Sequence, residues 1–407
     1  MIIGIPSEIK TGEKRVAMSP TNVQSLTDRG IKVLIQENSG SAAGYPDGQY
    51  IAAGAIIITN RAEIFASADI ILQVQSFGSN NENSELDLAL LRKGQLVIGM
   101  MDPLASPQAA QAVAATGASA IALELVPRIS RAQGMDVLSS MATLAGYKAV
   151  LIGASVSPRI FPMLMTAAGT LQPARVLIMG VGVAGLQACA TAKRLGAIVE
   201  AYDVRPAARE QIISVGAKPV ELDLDTGESE GVGGYAKEQG EDFLRRQREL
   251  MTAVVAQQDI IITTAAIPGA KSPILVTEDM VVAMKPGAVI VDLAAERGGN
   301  CDLTEMGKII VAHDVTIVGP ENVPSDLAYH ASQMYGNNIQ TLLELILDEN
   351  GELNLDFSDE IVAGTLVAHE GEVPHAHMRK LLGLDEIKAS VEPEQQAGAS
   401  VASNDEK

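Results

Sequence analysis

The segment Arg175–Leu186 has the residue types and the spacing of a dinucleotide-binding turn. An aliphatic run leads into Gly180, Gly182 and Gly185, which form a GxGxxG pattern. In such a turn the first glycine permits a tight bend, the second lets the backbone approach a pyrophosphate, and the third lets helix and strand pack closely. The helix that follows would offer free N–H groups and the positive end of its dipole to phosphates. The spacing therefore predicts a pyrophosphate site here.

A carboxylate follows this pattern at the distance that nucleotide binding requires. Asp203 ends the next predicted strand, 18 residues after Gly185, where an acidic residue binds the ribose hydroxyls. A carboxylate there repels a 2′-phosphate, which favours NAD(H) over NADP(H). Arg205 is the counter-argument, because its guanidinium could neutralise that phosphate. NAD(H) is the favoured cofactor, and a Rossmann-like fold without a ligand is the least favoured interpretation.

The elements around these residues predict two doubly wound units in tandem. Short aliphatic strands alternate with helical stretches, which indicates parallel sheets. A helical stretch over Val137–Ile152 joins the units, and a helix within Pro324–Leu347 is expected to return to the first one. The predicted fold class is α/β, with two Rossmann-like domains and a cleft between them. The predicted strands are Ile2–Ile5, Lys32–Gln36, Asp69–Gln75, Leu96–Met100, Ala120–Leu125, Arg175–Gly180, Ile198–Asp203, Lys218–Glu221, Asp259–Thr264, Val289–Leu293 and Val315–Gly319.

Three domain ranges follow from this pattern. Residues 1–136, completed by 325–384, are expected to form an N-terminal Rossmann-like domain. Residues 137–324 are expected to form the NAD(H)-binding Rossmann domain. Residues 385–407 are rich in Ala, Gln, Ser, Glu and Pro and have little to bury, so an acidic disordered tail is expected there.

Composition excludes several classes of function. A formal net charge of -20 argues against nucleic-acid binding, which requires a surplus of Lys and Arg. Two cysteines outside any CxxC pattern predict neither a disulfide framework nor a metal site, and His375 and His377 form an exposed pair in a polar segment. No signal peptide or membrane-spanning segment is predicted, since the longest uncharged stretch, residues 103–123, is too polar. A soluble, cytoplasmic chain is expected.

The polar loop Arg128–Ser140 carries the most specific signal. Together with Gly146–Tyr147, Thr166–Gly169, Gly233–Glu238 and Gly298–Cys301, it resembles the first domain of nicotinamide nucleotide transhydrogenase. The resemblance extends from Met1 to about Leu347 and is closest to the split form, in which the family's other domains are separate subunits.

That resemblance implies one component of a proton-translocating, Si/Re-specific NAD(P)+ transhydrogenase. The chain would bind NAD(H) and exchange hydride directly with NADP(H) held on a partner subunit. A membrane-spanning partner subunit would couple this exchange to proton translocation. The resemblance also implies a homodimer that lies at the membrane through its partners, without inserting into the bilayer itself.

Four residues of the polar loop are implied to lie beside the reacting nicotinamides. Arg128 and Asp136 are expected to pair and fix the loop, although an ordinary surface ion pair is the alternative. Ser139 offers a hydroxyl to the carboxamide or a ribose, and the Gln133 amide can donate to one nucleotide and accept from the other. None need act as acid or base, because hydride transfer depends on holding the reacting carbons within about 3 to 3.5 Å.

The resemblance also implies a set of nucleotide contacts. Residues 231–235 resemble the family's mobile loop that closes over NAD(H), with Tyr235 as its lid; a plain flexible connection is the alternative. Gln239 and Ala266 stand where the family often has Met and Leu, which alters the fine geometry of closure. The full set of implied contacts is Ile129, Ser130, Gly180, Gly182, Val183, Gly185, Asp203, Val204, Arg205, Gly234, Tyr235, Gln247 and Ala266.

Two other functions remain open from the sequence. Alanine dehydrogenase shares the architecture and a similar N-terminus, but it requires a Lys and a His in its substrate pocket. The matching segments here, Leu72–Gln75 and Gly99–Pro103, contain neither, and all five histidines lie in the C-terminal quarter. An NAD(H)-sensing module without catalysis is the second alternative, although sensing would not require a polar loop that faces a second nucleotide.

Overall fold

The computed structural model describes residues 1–222 and 241–385. The helices are α1 (Pro20–Thr27), α2 (Asp47–Ala52), α3 (Arg61–Ser67), α4 (Ser84–Leu88), α5 (Pro107–Ala115), α6 (Val137–Val156), α7 (Val183–Arg194), α8 (Ala208–Ser214), α9 (Glu241–Val255), α10 (Glu278–Ala283), α11 (Ala328–Ile346), α12 (Glu360–Thr365) and α13 (Ala376–Leu382). The strands are β1 (Ile2–Ile5), β2 (Lys32–Gln36), β3 (Ile56–Ile58), β4 (Ile70–Gln75), β5 (Leu96–Met100), β6 (Ser119–Ala122), β7 (Leu164–Thr166), β8 (Gly169–Leu171), β9 (Arg175–Met179), β10 (Ile198–Tyr202), β11 (Lys218–Pro219), β12 (Ile260–Thr263), β13 (Val289–Asp292), β14 (Lys308–Ala312), β15 (Val315–Gly319) and β16 (Leu366–Ala368).

The first sheet has the strand order β16-β6-β5-β4-β1-β2-β3 and is parallel except for its edge strand β16. Both of its faces are covered, which explains why its strands are continuous aliphatic runs. Ile70 and Leu72 of β4 belong to a core that includes Ile339 of α11, whereas Ile71 belongs to the opposite core with Phe65 of α3. The late helix α11 therefore packs in the core of the first sheet.

The second sheet has the order β11-β10-β9-β12-β13-β15-β14, with only β14 antiparallel among the described strands. Helices α6 and α7 cover one face, and α9 and α10 cover the other. After β9 the chain continues to β10, which pairs with one side of β9, whereas β12 pairs with the other side. Ligands bind at such a reversal of strand order in open α/β sheets, and the Gly180 turn lies there. The predicted α/β class with two Rossmann-like units is confirmed.

Some elements differ from the sequence prediction. Strands β3, β14 and β16 and the hairpin of β7 and β8 were not predicted; β14 is an edge strand whose Ile309 and Val311 side chains are exposed. The predicted strand Ala120–Leu125 is wrong at its end, because β6 stops at Ala122 and a 3-10 turn follows. In this turn the Glu124 carboxylate accepts hydrogen bonds from the backbone amides of Met101 and Asp102, which follow β5.

Helix α6 is the predicted connection between the two units, and it is longer than predicted. By length and composition it could cross a membrane, although no membrane-spanning segment was predicted, because that prediction considered only the uncharged stretch 103–123. The helix packs against α7, α11 and strands β12 and β13. Its small apolar residues permit this close packing, which is also found in the core helices of soluble proteins.

Candidate functional site

The three glycines of the fingerprint meet three different steric demands. Gly180 has a φ of 92°, and a Cβ there would lie 2.9 Å from the Ala265 backbone nitrogen. A Cβ on Gly185 would collide with the Gly180 carbonyl oxygen. By contrast, no described atom lies within 4 Å of a Cβ built on Gly182, the residue that precedes α7. The turn thus leaves open space in front of the helix N-terminus, where a pyrophosphate fits.

Helix α6 fixes the position of this N-terminus. A Cβ on Gly146 would collide with the backbone carbonyl of Ala184 in the first turn of α7. Only glycine allows the two helices to approach this closely, which gives a physical reason for the Gly146–Tyr147 motif. On the other side of the turn, the Thr264 hydroxyl donates to the Gly180 carbonyl over 2.8 Å.

Asp203 braces the turn and engages Arg205. Its carboxylate accepts from the Val181 amide at 2.7 Å, and the Arg205 Nε and Nη2 atoms each donate to it at 2.8 Å. Both side chains are largely buried. The guanidinium that could have favoured a 2′-phosphate is therefore held by the carboxylate that disfavours one.

The remaining nucleotide-binding candidates surround the same turn. Val183 is 40% exposed at the start of α7, Val204 is half-buried, and Ala266 is exposed just after β12. Gln247 of α9 is buried and donates to the Tyr202 hydroxyl over 2.7 Å. Burial raises the pKa of Tyr202, and this hydrogen bond partly opposes the shift.

Two buried residues hold the loop after β12: Asn300, whose motif Gly298–Cys301 had been given no role, and Asp292, which no sequence pattern had singled out. The Asn300 amide accepts from the Ala265 nitrogen at 3.0 Å and donates to the Ala265 carbonyl at 2.8 Å. Asp292 is fully buried and accepts five hydrogen bonds. The donors are Thr263 Oγ1, Ala294 N, Asn300 N, Cys301 N and Thr304 Oγ1. A carboxylate at the end of an aliphatic strand, the signal used for Asp203, could also have identified Asp292.

The backbone of the polar loop is anchored to the first core, whereas several of its polar side chains are exposed. Arg128, Ser130 and Gln133 are exposed, whereas Ile129 is half-buried and packs against the first core. Asn338 of α11 donates to the Gly134 carbonyl over 2.8 Å. The loop therefore presents its polar side chains on a fixed backbone.

Asp136 is the N-cap of α6, and the expected ion pair is absent. Its carboxylate accepts from the Ser139 amide at 2.9 Å and from the Ser139 hydroxyl at 2.5 Å. Within the described part of the chain no ion pair joins Arg128 to Asp136, so that prediction is wrong. The Asp136 carboxylate caps the N-terminus of α6 instead. Such a cap stabilises a helix by about 1 kcal/mol. Helix α6 thus begins at the polar loop and reaches the pyrophosphate turn at Gly146.

A buried ion pair lies where the two units meet. Arg15 Nη2 is 2.6 Å from Glu13 Oε2, and Arg15 Nε donates to Glu13 Oε1 over 2.7 Å. Arg15 Nη2 also donates to Asn322 Oδ1, which follows the second sheet. Burial would raise the pKa of Glu13, but the Arg15 charge and the hydrogen bonds outweigh it and lower that pKa to about 2.

Several predicted features are not tested by the structure. Gly234, Tyr235 and Gln239 lie outside the described residues, and so does the predicted tail beyond Asp385. Among residues 1–222 and 241–385, no cluster of three or more His, Cys, Asp or Glu side chains could hold a metal ion.

Comparison with known proteins matches both halves of the chain to one family. Residues 4–145 match the N-terminal domain of alanine dehydrogenase/PNT, and residues 149–376 match its C-terminal domain. The chain is 46% identical over 377 residues to an NAD(P) transhydrogenase subunit alpha polypeptide of Rhodospirillum rubrum, covering 92% of this chain and 98% of that one. It is 30% identical over 391 residues to alanine dehydrogenase of Mycolicibacterium smegmatis, covering 94% and 97%. The solved transhydrogenase of Sinorhizobium meliloti superposes with a TM-score of 0.82 at 43% identity, covering 92% of this chain and all of that one.

Proposed function

The chain belongs to the alanine dehydrogenase/PNT family, and we propose that it is the NAD(H)-binding component of a proton-translocating, Si/Re-specific NAD(P)+ transhydrogenase. Hydride passes directly between its NADH and NADP+ bound on a partner subunit. A membrane-spanning partner couples this step to proton translocation and holds the chain at the cytoplasmic face of the membrane. The observation that carries the proposal is the exposed polar loop, tied through α6 to the pyrophosphate turn.

The chain's residues would position the cofactor without proton chemistry. Bound NADH supplies the hydride. The free N–H groups at the start of α7 would hold the pyrophosphate, for which there is space at Gly182. Asp203 would bind the ribose hydroxyls and already holds Arg205, which would keep that guanidinium from a 2′-phosphate. Asn300 fixes the loop that carries Ala266.

The polar loop would complete the site on the side of the partner. Arg128 and Gln133 are exposed, so both can reach a nucleotide on another subunit. The Ser139 hydroxyl donates a hydrogen bond to Asp136, which orients this hydroxyl at the start of α6. Direct transfer then depends on how closely this loop and the partner hold the two nicotinamide rings.

The missing Lys and His argue against alanine dehydrogenase activity. The segments Leu72–Gln75 and Gly99–Pro103 contain neither of the two side chains that this enzyme requires in its substrate pocket. Arg15, which pairs with Glu13 in the N-terminal segment that both families share, cannot carry out an oxidative deamination alone.

An exposed hairpin supports the proposed homodimer. Strands β7 and β8 pair only with each other among the described strands, and a two-stranded hairpin alone is marginally stable. It carries exposed Met163, Leu164, Met165 and Leu171. A second copy of the chain would cover these apolar side chains.

Stopped-flow absorbance tests the proposed function against both alternatives. With the NADP(H)-binding subunit added, NADPH should reduce an NAD+ analogue of distinct absorbance bound to this chain. NADH binding without any such reduction would indicate a sensing module. Formation of NADH from NAD+ and L-alanine by the chain alone would indicate a dehydrogenase.

A further inference from the structure

One ion pair crosses the cleft between the two sheets. Asp102 follows β5 of the first sheet, and Arg297 ends the 3-10 turn Ala295–Arg297 after β13 of the second. Arg297 Nη2 lies 2.6 Å from Asp102 Oδ1, with the side chains 36% and 27% exposed. We call it the cleft ion pair.

The backbone of Asp102 is held in an uncommon conformation. Its φ is 48°, in the left-handed region that residues other than glycine rarely adopt. The amides of Met101 and Asp102 both donate to Glu124 Oε1 over 2.7 Å, and the Asp102 carbonyl accepts from the Ser106 amide. These bonds fix the direction of the carboxylate toward the second sheet.

A second contact joins the loop after β5 to another loop of the second unit, the one after β12. A Cβ on Gly269 would lie 2.5 Å from Leu104 Cβ, so these loops touch at the backbone of Gly269. The Arg297 carbonyl accepts from the Ser272 amide over 2.9 Å, which ties the 3-10 turn to the loop that contains Gly269.

These loops border the nucleotide site. Asn300 lies three residues after Arg297 and binds both backbone groups of Ala265, which in turn lies against the Gly180 turn. The polar loop, in contrast, is anchored in the first core through Ala132 and Met135. Any change in the spacing of the sheets at Asp102 would therefore move the nucleotide side of the cleft relative to the polar loop.

We propose that Asp102 and Arg297 are positioning residues for hydride transfer. They touch no reacting atom; they hold the cleft at one width, and this width sets the placement of the nicotinamide against the polar loop. The inference rests on the proposed function. A reaction that needs its carbons within about 3 to 3.5 Å loses rate when this placement becomes loose.

A double-mutant cycle tests the inference, with the chain and its NADP(H)-binding partner at saturating nucleotide. Asp102→Asn and Arg297→Met should each slow single-turnover transfer about tenfold, because a misplacement near 1 Å has effects of this size or larger. The double variant should be no slower than either single variant, since both remove one interaction. NADH affinity of the chain alone should stay within about twofold, which also shows that the variants fold.

The matched control is Lys308→Met, which removes a 2.6 Å ion pair with Glu305 confined to the second unit. It should leave transfer unchanged. Wild-type transfer rates in Asp102→Asn, or additive losses in the double variant, would overturn the inference.

A distance measurement separates failure of this inference from failure of the proposed function. Spin labels at Gln108→Cys and Asp279→Cys report the gap between the units, because both positions are exposed and both native cysteines are buried. The distance distribution should broaden in Arg297→Met and stay as in wild type in Lys308→Met. If wild type transfers no hydride, the proposed function fails, whereas an unchanged distribution in Arg297→Met overturns the cleft ion pair's role.

Discussion

Asp203 connects cofactor selectivity with the shape of the pyrophosphate turn, because one carboxylate binds both Val181 and Arg205. Selectivity from a single acidic residue acts by charge. Here the same residue also withholds the nearest cation from a 2′-phosphate. Removal of the carboxylate should therefore favour NADP(H) in two ways, because it removes a repelling charge and also releases Arg205.

Asp203→Ala should weaken discrimination against NADP(H) by about tenfold, equivalent to about 1.4 kcal/mol. Equilibrium titration with NADH and NADPH measures it. The double variant Asp203→Ala/Arg205→Ala should lose most of the gained NADPH affinity, because no guanidinium is then left to bind the phosphate. Unchanged selectivity in Asp203→Ala would rule out its role at the ribose.

Gln133→Asn should slow hydride transfer about tenfold and leave NADH affinity nearly unchanged, since the side chain acts in the assembled complex. The shorter side chain keeps both polar groups but withdraws them from the partner's nucleotide. Single-turnover kinetics and NADH fluorescence measure the two quantities, and the chain contains no Trp to interfere. Gln49→Asn, on the exposed surface of α2, is the control. A large loss of NADH binding would contradict this assignment.

Glu124 should make stability depend on pH. Burial raises the pKa of its carboxyl from 4.5 to about 7, against the backbone amides of Asp102 and Met101 that lower it. Between pH 4.5 and about 7, Glu124 is deprotonated in the unfolded chain but still protonated in the folded chain, so the stability of wild type falls as pH rises. Glu124→Gln keeps an oxygen to accept both amides and removes the titration.

The difference in unfolding free energy between wild type and Glu124→Gln should therefore change by up to about 1.4 kcal/mol per pH unit from pH 4.5 to 7. Denaturant unfolding at several pH values measures this difference. A constant difference across this window would mean that the carboxyl titrates normally in the folded protein.

At the residue scale, spacing alone predicted the tight bend at Gly180 and the close packing at Gly185, because local backbone geometry sets both. It could not assign the partner of Asp136, since a helix cap and an ion pair use the same carboxylate. The role of Asn300 was not predicted, because its hydrogen bonds to Ala265 join residues 35 positions apart, which no local pattern records. Asp292 carries the same local signal as Asp203, a carboxylate at the end of an aliphatic strand, but no nucleotide-binding spacing accompanies it.

At the element scale, α6 links the polar loop to the pyrophosphate turn. Its first residue follows the Asp136 cap, and Gly146 touches α7 roughly 14 Å further along the axis, at 1.5 Å per residue. Strands in the middle of each sheet were predicted well, because burial on both faces gives continuous aliphatic runs. The edge strands β3, β14 and β16 were missed, since their burial and pairing are set by neighbours distant in sequence.

Gly146→Ala should push α6 away from the first turn of α7 and lower both stability and NADH affinity. The collision should cost about 1–3 kcal/mol, more than the roughly 1 kcal/mol that Ala gains over Gly in a helix. Gly153→Ala is the control in the same helix, since its Cβ would lie 3.2 Å from an Ile260 methyl that can shift. Thermal unfolding and NADH titration measure the two effects. Equal behaviour of the two variants would mean that the approach of α6 to α7 does not position the turn.

At the scale of the whole molecule, the two α/β units meet at Arg15 and at the cleft ion pair; the second unit carries the Gly180 turn, and the polar loop is anchored in the core of the first. Composition and strand alternation were sufficient to predict the two α/β units. They could not predict how the units meet, because the contacts of Arg15 and Arg297 across the cleft join residues far apart in sequence. The proposed division of labour follows: this chain positions NAD(H), and its partners supply NADP(H) and proton movement.

Isotope transfer tests the proposed half-reaction most directly. NADH carrying deuterium on the transferred C4 position is bound to this chain and mixed with the NADP(H)-binding subunit loaded with NADP+, and the NADPH formed is analysed by mass spectrometry. Direct transfer predicts one deuterium in each NADPH and none in the solvent. Unlabelled NADPH, or no NADPH at all, would contradict direct hydride exchange between the two nicotinamides.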